Sequence, residues 1–362
     1  MTYLFYFLLT LAISFLATPI VIRFADKFKI YDIPNQKRKI HSHATPLLGG
    51  FAVFIAFTLS LLWYFKTEGL NFEVIPVKFF IGMLSGGVVL MLGGFLDDKY
   101  NLPPKILWLF PALASLLVVW SGIGIGIKQI SNPFGSPISI DYNFFTFPLS
   151  GIIMWMYLIG LIFTTKFLDG LDGLCAGISI IGGLTLFALS LLPHINQPMT
   201  ASIAIIFSGG LLGFLIFNFH PAKIFLGESG STFCGFLLGT LSIILGGKIA
   251  TVLLVMGIPI LDVAWAIIRR LFYGQSPFKG DRTHLHHRLF DIGLSHRQTV
   301  LVLWLISAVF GFVAVFLQSF GKLIALLILF CLMLTLAISV VIIYKRKHPH
   351  IPDLFDIIKK DN

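Results

Sequence analysis

Long apolar blocks alternate with short polar segments along this chain, and about eleven blocks can be marked: Tyr3 to Ile22, Leu48 to Phe65, Phe79 to Leu96, Ile106 to Ile123, Pro148 to Phe163, Leu174 to Leu192, Met199 to Phe217, Ser231 to Leu245, Ile249 to Ile268, Val300 to Phe316 and Leu323 to Tyr344. Each approaches the roughly 20 residues a helix needs to cross the hydrocarbon of a bilayer. Hydrophobic residues make up 57% of the 362 positions and charged residues 12%, too little polar surface to cover a water-soluble globule. The pattern predicts an all-α polytopic membrane protein, a single bundle of about 10-11 transmembrane helices over residues 1-344, followed by a basic cytoplasmic tail at 345-362. The first block lacks a basic leader and a small-residue cleavage site and is expected to stay as a span. No internal repeat, low-complexity segment or long polar linker divides the chain into two domains.

Charge then sets an orientation. With the amino terminus outside, the outer loops hold five basic residues (Lys66, Lys78, Lys128, Lys248, Lys322), leaving 21 of the 26 on the cytoplasmic side, where the carboxyl terminus also falls. The net charge of +10 is thereby explained by anionic lipid headgroups and an anionic substrate, and calls for no nucleic acid. Cys175, Cys234 and Cys331 lie in or beside apolar blocks without metal-ligand spacing, as packing residues do. From Gly126 to Tyr142, apolar and polar residues alternate around Asn132-Pro133-Phe134-Gly135, which predicts a small β-hairpin on the outer surface.

Five polar segments share the predicted cytoplasmic face with the basic stretch Lys37, Arg38, Lys39 and His41, and they carry more carboxylates and histidines than mere connections need. Asp97 and Asp98 end the third block, where paired carboxylates can bind a divalent cation or divide the roles of base and ligand; an ordinary polar helix end before Pro103-Pro104 is the plain alternative. Lys105 could meet a phosphate or serve as a snorkelling anchor. In Asp169-Gly170-Leu171-Asp172-Gly173 both carboxylates can face one side of a turn, and the glycines admit a nucleotide base or ribose close to the backbone; a Gly-rich connecting turn has the same composition.

Asn218 offers amide recognition, Phe225 a stacking face, and Glu228 an oxygen ligand for a hard cation at a helix start that favours phosphate; capping explains the neighbouring serines but not the carboxylate. Asp262 lies inside an apolar block, where an ionisable group costs at least ~2.5 kcal/mol and needs a partner, either Arg269 or Arg270 or the other carboxylates through a metal. His284, His286 and His287, with Arg282 and Arg288, can converge on a phosphate. Zinc competes for the same histidines, but no cysteine accompanies them and the arginines repel a cation.

From DIPNQKRKIHSHATPLLGG at Asp32 to DRTHLHHRL at Asp281, the order and spacing of these segments resemble the polyprenyl-phosphate N-acetylhexosamine-1-phosphate transferases, polytopic enzymes of the glycosyltransferase 4 superfamily. The histidine loop is similar to the branch using UDP-GlcNAc or a related UDP-N-acetylhexosamine, as distinct from the muramoyl-pentapeptide transferases. The resemblance implies Mg²⁺ as cofactor, with Mn²⁺ as an alternative, and UDP-N-acetylhexosamine, polyprenyl phosphate and the lipid bilayer as partners; a homodimer is compatible with it. It implies Asp97 as the base toward the lipid phosphate and Asp98 as its neighbour near the metal. Asp169, Gly170, Leu171 and Asp172 would line the uridine pocket with Asn218 and Phe225; Glu228, Asp98 and Asp172 would hold the metal. His284, His286 and His287 would handle the diphosphate, with Lys105, Lys166, Asp262, Arg282 and Arg288 on the substrate side.

The chain departs from the family pattern at three places: Lys166 stands where Asn is common, Glu228 where Asp is common, and no Gln follows Lys105 in the next two turns. The expected reaction is in-line attack of the lipid phosphate on the sugar-bearing phosphorus with loss of uridine monophosphate, in one step or through a phospho-enzyme on Asp97. Rivals are a muramoyl-pentapeptide transferase, a transporter or flippase, and a binder that has lost activity. A transporter predicts polar residues at the midplane of several spans, whereas only Asp262 is clearly within one.

Overall fold

The computed structural model describes residues 1–34, 43–68, 76–130, 132, 134–144, 147–272, 274, 285, 289–290 and 293–347. Its helices are α1 (Thr2–Phe28), α2 (Gly49–Glu68), α3 (Val77–Tyr100), α4 (Pro104–Leu107), α5 (Leu109–Trp120), α6 (Leu149–Leu168), α7 (Leu174–Ser190), α8 (Pro198–Asn218), α9 (Gly227–Ile244), α10 (Ile249–Val255), α11 (Gly257–Phe272), α12 (His296–Phe316) and α13 (Ser319–Lys347). Three two-residue antiparallel pairs join them: β1 (Tyr31–Asp32) with β2 (Thr45–Pro46), β3 (Gln129–Ile130) with β4 (Ile138–Ser139), and β5 (Asn143–Phe144) with β6 (Phe147–Pro148). The expected hairpin is the β3–β4 pair, in register Gln129 to Ser139 and Ile130 to Ile138.

Each apolar block becomes a helix or a helix pair, but the expected count of spans is refined. Among the described residues six helices are long and apolar enough to cross a bilayer, namely α1, α2, α3, α6, α8 and α12; the bent pair α10–α11 makes a seventh candidate. Shorter apolar helices cover Pro104–Trp120, Leu174–Ser190 and Phe320–Leu336. The block Ile249 to Ile268 is not one straight span: it turns by 81° at Met256. Gly257 and Pro259 follow at once, and a proline lacks the N–H that would continue the helical ladder.

At the centre lies α9, in contact with α2, α3, α6 and α7, and nearly all of its side chains are buried. Its wealth of Gly, Ser, Thr and Cys follows from that position, because small residues let helix backbones meet where protein rather than lipid surrounds them. A Cβ on Gly94 of α3 would come within 2.2 Å of the Ser229 nitrogen, and one on Gly50 of α2 within 2.2 Å of the Gly230 nitrogen. On the opposite flank of α9, a Cβ on Gly235 would come within 2.4 Å of the Leu161 carbonyl of α6. These contacts press α2, α3 and α6 onto the amino-terminal half of α9, and the last turns of α3 and α6 carry acidic and basic side chains to the same end.

Candidate active site

The two carboxylates closing α3 are fixed differently. The helix ends at Asn101 in the left-handed conformation (φ 51°), and Asp97 Oδ1 accepts the Leu102 N–H at 2.9 Å. Asp98 Oδ1 accepts the Glu228 N–H at 3.1 Å, so a free N–H in the first turn of α9 holds it. Its other oxygen, Oδ2, is shut from solvent and has no hydrogen-bond partner among the described residues. Gly227 makes this approach possible: its φ is +76°, and an added Cβ would come 2.6 Å from Asp98 Oδ2.

Glu228 meets a cation from α6. Its Oε1 is 2.8 Å from Lys166 Nζ, with side chains only 10% and 20% exposed respectively. Lys166 also acts electrostatically on Asp97, while Asp98 feels Glu228, Asp97 and Asp169. Burial raises the Asp169 carboxyl to about 8, and the negative Glu228 and Asp172 push it the same way. Asp97, Asp98, Asp169 and Glu228 thus lie within electrostatic reach of one another. A cluster of carboxylates answered by one close ammonium among the described residues has the all-oxygen donor set of a hard divalent cation.

A second set of contacts braces the Asp169–Gly173 turn. Gly173 (φ +79°) donates its N–H to Asn218 Oδ1 at 3.1 Å, and Asn218 Nδ2 donates to the Ile224 carbonyl at 2.9 Å. Asn218 is 2% exposed, so its amide links two backbone segments where base recognition was expected. Asp172 Oδ2 accepts the Ala222 N–H at 3.1 Å and lies 2.7 Å from His220 Nδ1. One oxygen of Asp172, expected on the metal, is therefore committed to protein partners.

Residues 80–246 match glycosyl transferase family 4. A probable undecaprenyl-phosphate N-acetylglucosaminyl 1-phosphate transferase of Bacillus subtilis (strain 168) is 33% identical over 338 residues, 92% of this chain and 89% of the relative. This chain belongs to glycosyl transferase family 4. The decaprenyl-phosphate N-acetylglucosaminephosphotransferase of Mycolicibacterium smegmatis is 31% identical, covering 83% of this chain and 78% of its own length. A phospho-N-acetylmuramoyl-pentapeptide-transferase of Rickettsia prowazekii is 28% identical, covering 84% and 90%. The protein is accordingly a multi-pass membrane transferase.

The transferase brings together Asp97, Asp98, Lys166, Asp169, Asp172 and Glu228, with Leu171 buried and Gly170 exposed in the same turn. Lys105 is exposed on α4. Phe225 is tied by its backbone, donating to the Pro46 carbonyl and accepting from the Gly49 N–H. One partner of Asp262 is a backbone group: its Oδ1 accepts the Leu285 N–H at 2.8 Å, and Leu285 is buried. α11 thereby anchors the residue between His284 and His286. His284, His286, His287, Arg282 and Arg288 lie outside the described residues, as do Lys37, Arg38, Lys39 and His41.

Two histidines joined the site without being singled out in the sequence. His220 and His296 stack with ring centroids 4.1 Å apart and planes 14° apart, and both ring nitrogens of His296 are buried without a hydrogen-bond partner among the described residues. Asp172, His220 and His296 offer ligand atoms within 4.8 Å of one another. An ion shared by the two rings would have to lie in both ring planes, and two nearly parallel planes offer no such point. The cluster is therefore a support for Asp172. Ser295 and Gln298 form a capping box that starts α12 and places His296 in its first turn, while Arg297 Nε donates to the His220 carbonyl at 3.1 Å. The S-x-x-Q signal at Ser295 is visible in the sequence and marks this helix start.

Proposed function

We propose that this transferase moves N-acetylglucosamine 1-phosphate from a UDP-sugar to a polyprenyl phosphate at the cytoplasmic face, releasing uridine monophosphate. The observation that carries the proposal is the buried Asp98 Oδ2 without a partner, set beside Glu228 and within electrostatic reach of Asp97 and Asp169. Buried polar atoms are nearly always satisfied, and an orphaned carboxylate oxygen among further carboxylates fits a divalent metal. Asp98 and Glu228 would hold Mg²⁺, with Mn²⁺ as a substitute, and Asp169 stands close enough to join them. When bound, the ion supplies neutralising charge to the diphosphate.

The side chains do the rest. Asp97, half-buried and steadied by the Leu102 N–H, is placed to take the proton from the lipid phosphate. A phosphate oxygen of the lipid then bonds to the sugar-bearing phosphorus, and the phosphorus–oxygen bond to uridine monophosphate breaks. The Asp169–Gly173 turn, held by Asn218 and with Asp172 steadied by His220, lines the nucleoside side. Asp262 anchors Leu285 to α11, and the neighbouring His284, His286 and His287 would contact the diphosphate. The cytoplasmic placement rests on the excess of Lys and Arg in one set of loops.

The test is purified protein in detergent with UDP-GlcNAc, undecaprenyl phosphate and Mg²⁺, followed for uridine monophosphate. Release that needs all three and stops in Asp97→Asn supports the proposal. Release only with UDP-N-acetylmuramoyl-pentapeptide moves the enzyme to the other branch. No release with any UDP-sugar, together with passage of labelled substrate across a liposome wall, makes it a transporter.

A further inference from the structure

The Lys166–Glu228 pair bears on how the pocket accepts an ion, given the metal and UDP-sugar reading above. Lys166 Nζ sits 2.8 Å from Glu228 Oε1 in a pocket that also holds Asp97, Asp98 and Asp169, and both side chains are largely buried. A small divalent cation needs oxygen ligands at about 2.0–2.1 Å. An ammonium held on Glu228 Oε1 competes with such an ion for the same carboxylate and repels it, because charges near protein are less screened than in water. The lysine is equipped to leave: its stem is flexible, its three N–H donors reorient freely, and a diphosphate oxygen offers it an equivalent anion. The last turn of α6 keeps its attachment point beside the Asp169–Gly173 turn, on the nucleoside side of the pocket.

We infer that Lys166 is a displaceable counter-cation: it neutralises Glu228 before nucleotide arrives and then passes to the diphosphate, so that nucleoside diphosphate and divalent ion bind cooperatively. Ion alone binds weakly because it must evict the ammonium; nucleotide removes that competitor. Lys166 is thus a positioning residue that couples two ligands, and the coupling is reciprocal.

The experiment measures Mn²⁺ binding to the full-length protein in detergent by electron paramagnetic resonance, with and without UDP, corrected for Mn²⁺ held by UDP in solution. In the unaltered protein UDP is expected to tighten Mn²⁺ about tenfold, within the usual range for coupled sites. Lys166→Gln, which keeps a hydrogen-bond donor but no charge, is expected to bind Mn²⁺ alone about tenfold more tightly and to lose most of the UDP effect. An equal affinity for Mn²⁺ alone in this variant, with the UDP effect intact, overturns the inference. Thermal unfolding checks that the variant is folded. If it is not, Lys166→Arg replaces it: a guanidinium can grip Glu228 with two hydrogen bonds, so Mn²⁺ alone should bind more weakly, and unchanged binding overturns the inference. Glu228→Gln separates the two levels. If it abolishes Mn²⁺ binding while the lysine variants change nothing, only the counter-cation role falls; if Mn²⁺ binds regardless of Glu228, the metal site itself falls.

Discussion

Asp98 and Asp172 are both carboxylates at the polar end of the bundle, yet their surroundings differ in kind. Asp172 Oδ2 has two partners, the Ala222 N–H and His220, which is itself stacked on His296. Asp98 has one backbone donor and one buried oxygen with none among the described residues. Asp172 Oδ2 is oriented by protein groups, whereas Asp98, with Glu228 next to it, keeps the oxygen that the proposed cation would take.

This contrast can be broken at several points. The largest effect is expected from Asp98→Asn, which removes the proposed metal ligand and should cut release of uridine monophosphate by about 10³-fold, with Mn²⁺ binding lost in parallel. On the braced side, His220→Gln should cost about 10- to 100-fold in turnover, the range for groups that orient a functional side chain. It should leave Mn²⁺ binding unchanged; loss of the ion in this variant would erase the distinction between the two acids.

Stability measurements sharpen it further. Gly227→Ala places a side chain at φ +76° and against Asp98 Oδ2, and should lower stability by about 1–3 kcal/mol in thermal or denaturant unfolding. Asn218→Ala leaves the Gly173 N–H and the Ile224 carbonyl without their partner. It should destabilise by about 1–3 kcal/mol, and a variant of full stability with weakened UDP binding would return Asn218 to direct base recognition.

The smallest effect is a pH dependence. Burial, then the neighbouring Glu228 and Asp172, raise the Asp169 carboxyl from an ordinary 3.8 to about 8. Between those limits the folded state binds more protons than the unfolded chain, so stability falls as pH rises through the window. A divalent ion favours the carboxylate, so its binding releases a proton and tightens with pH. The rise in Tm on adding Mg²⁺ should therefore grow from about pH 6 to about pH 8; a rise independent of pH would detach Asp169 from the ion.

Local pattern made much of the architecture legible. Apolar blocks marked the helices, and alternation about Asn132 marked the β3–β4 hairpin. The 81° turn at Met256 was signalled by Gly257 and Pro259 but hidden by unbroken hydropathy. Site legibility followed another logic. Residue types at polar breaks pointed to Asp97, Asp98, Asp169 and Glu228, since carboxylates are costly beside a membrane. Pairings across distant segments carry no local signal. Lys166 and Glu228, two departures from the family pattern that look independent along the chain, are partners in one ion pair. Asn218 has the same amide whether it reads a base or braces a turn, and its bonds to Gly173 and Ile224 become visible only in the fold.

The most direct measurement locates the ion itself: anomalous scattering from Mn²⁺ in crystals of the full-length protein with UDP bound. A peak is expected at the carboxylates of Asp98 and Glu228, at the roughly 2 Å typical of oxygen ligands, with the Lys166 ammonium moved to the diphosphate. A peak at Asp172, His220 and His296, or bound UDP with no ion at Asp98, would contradict the proposed site.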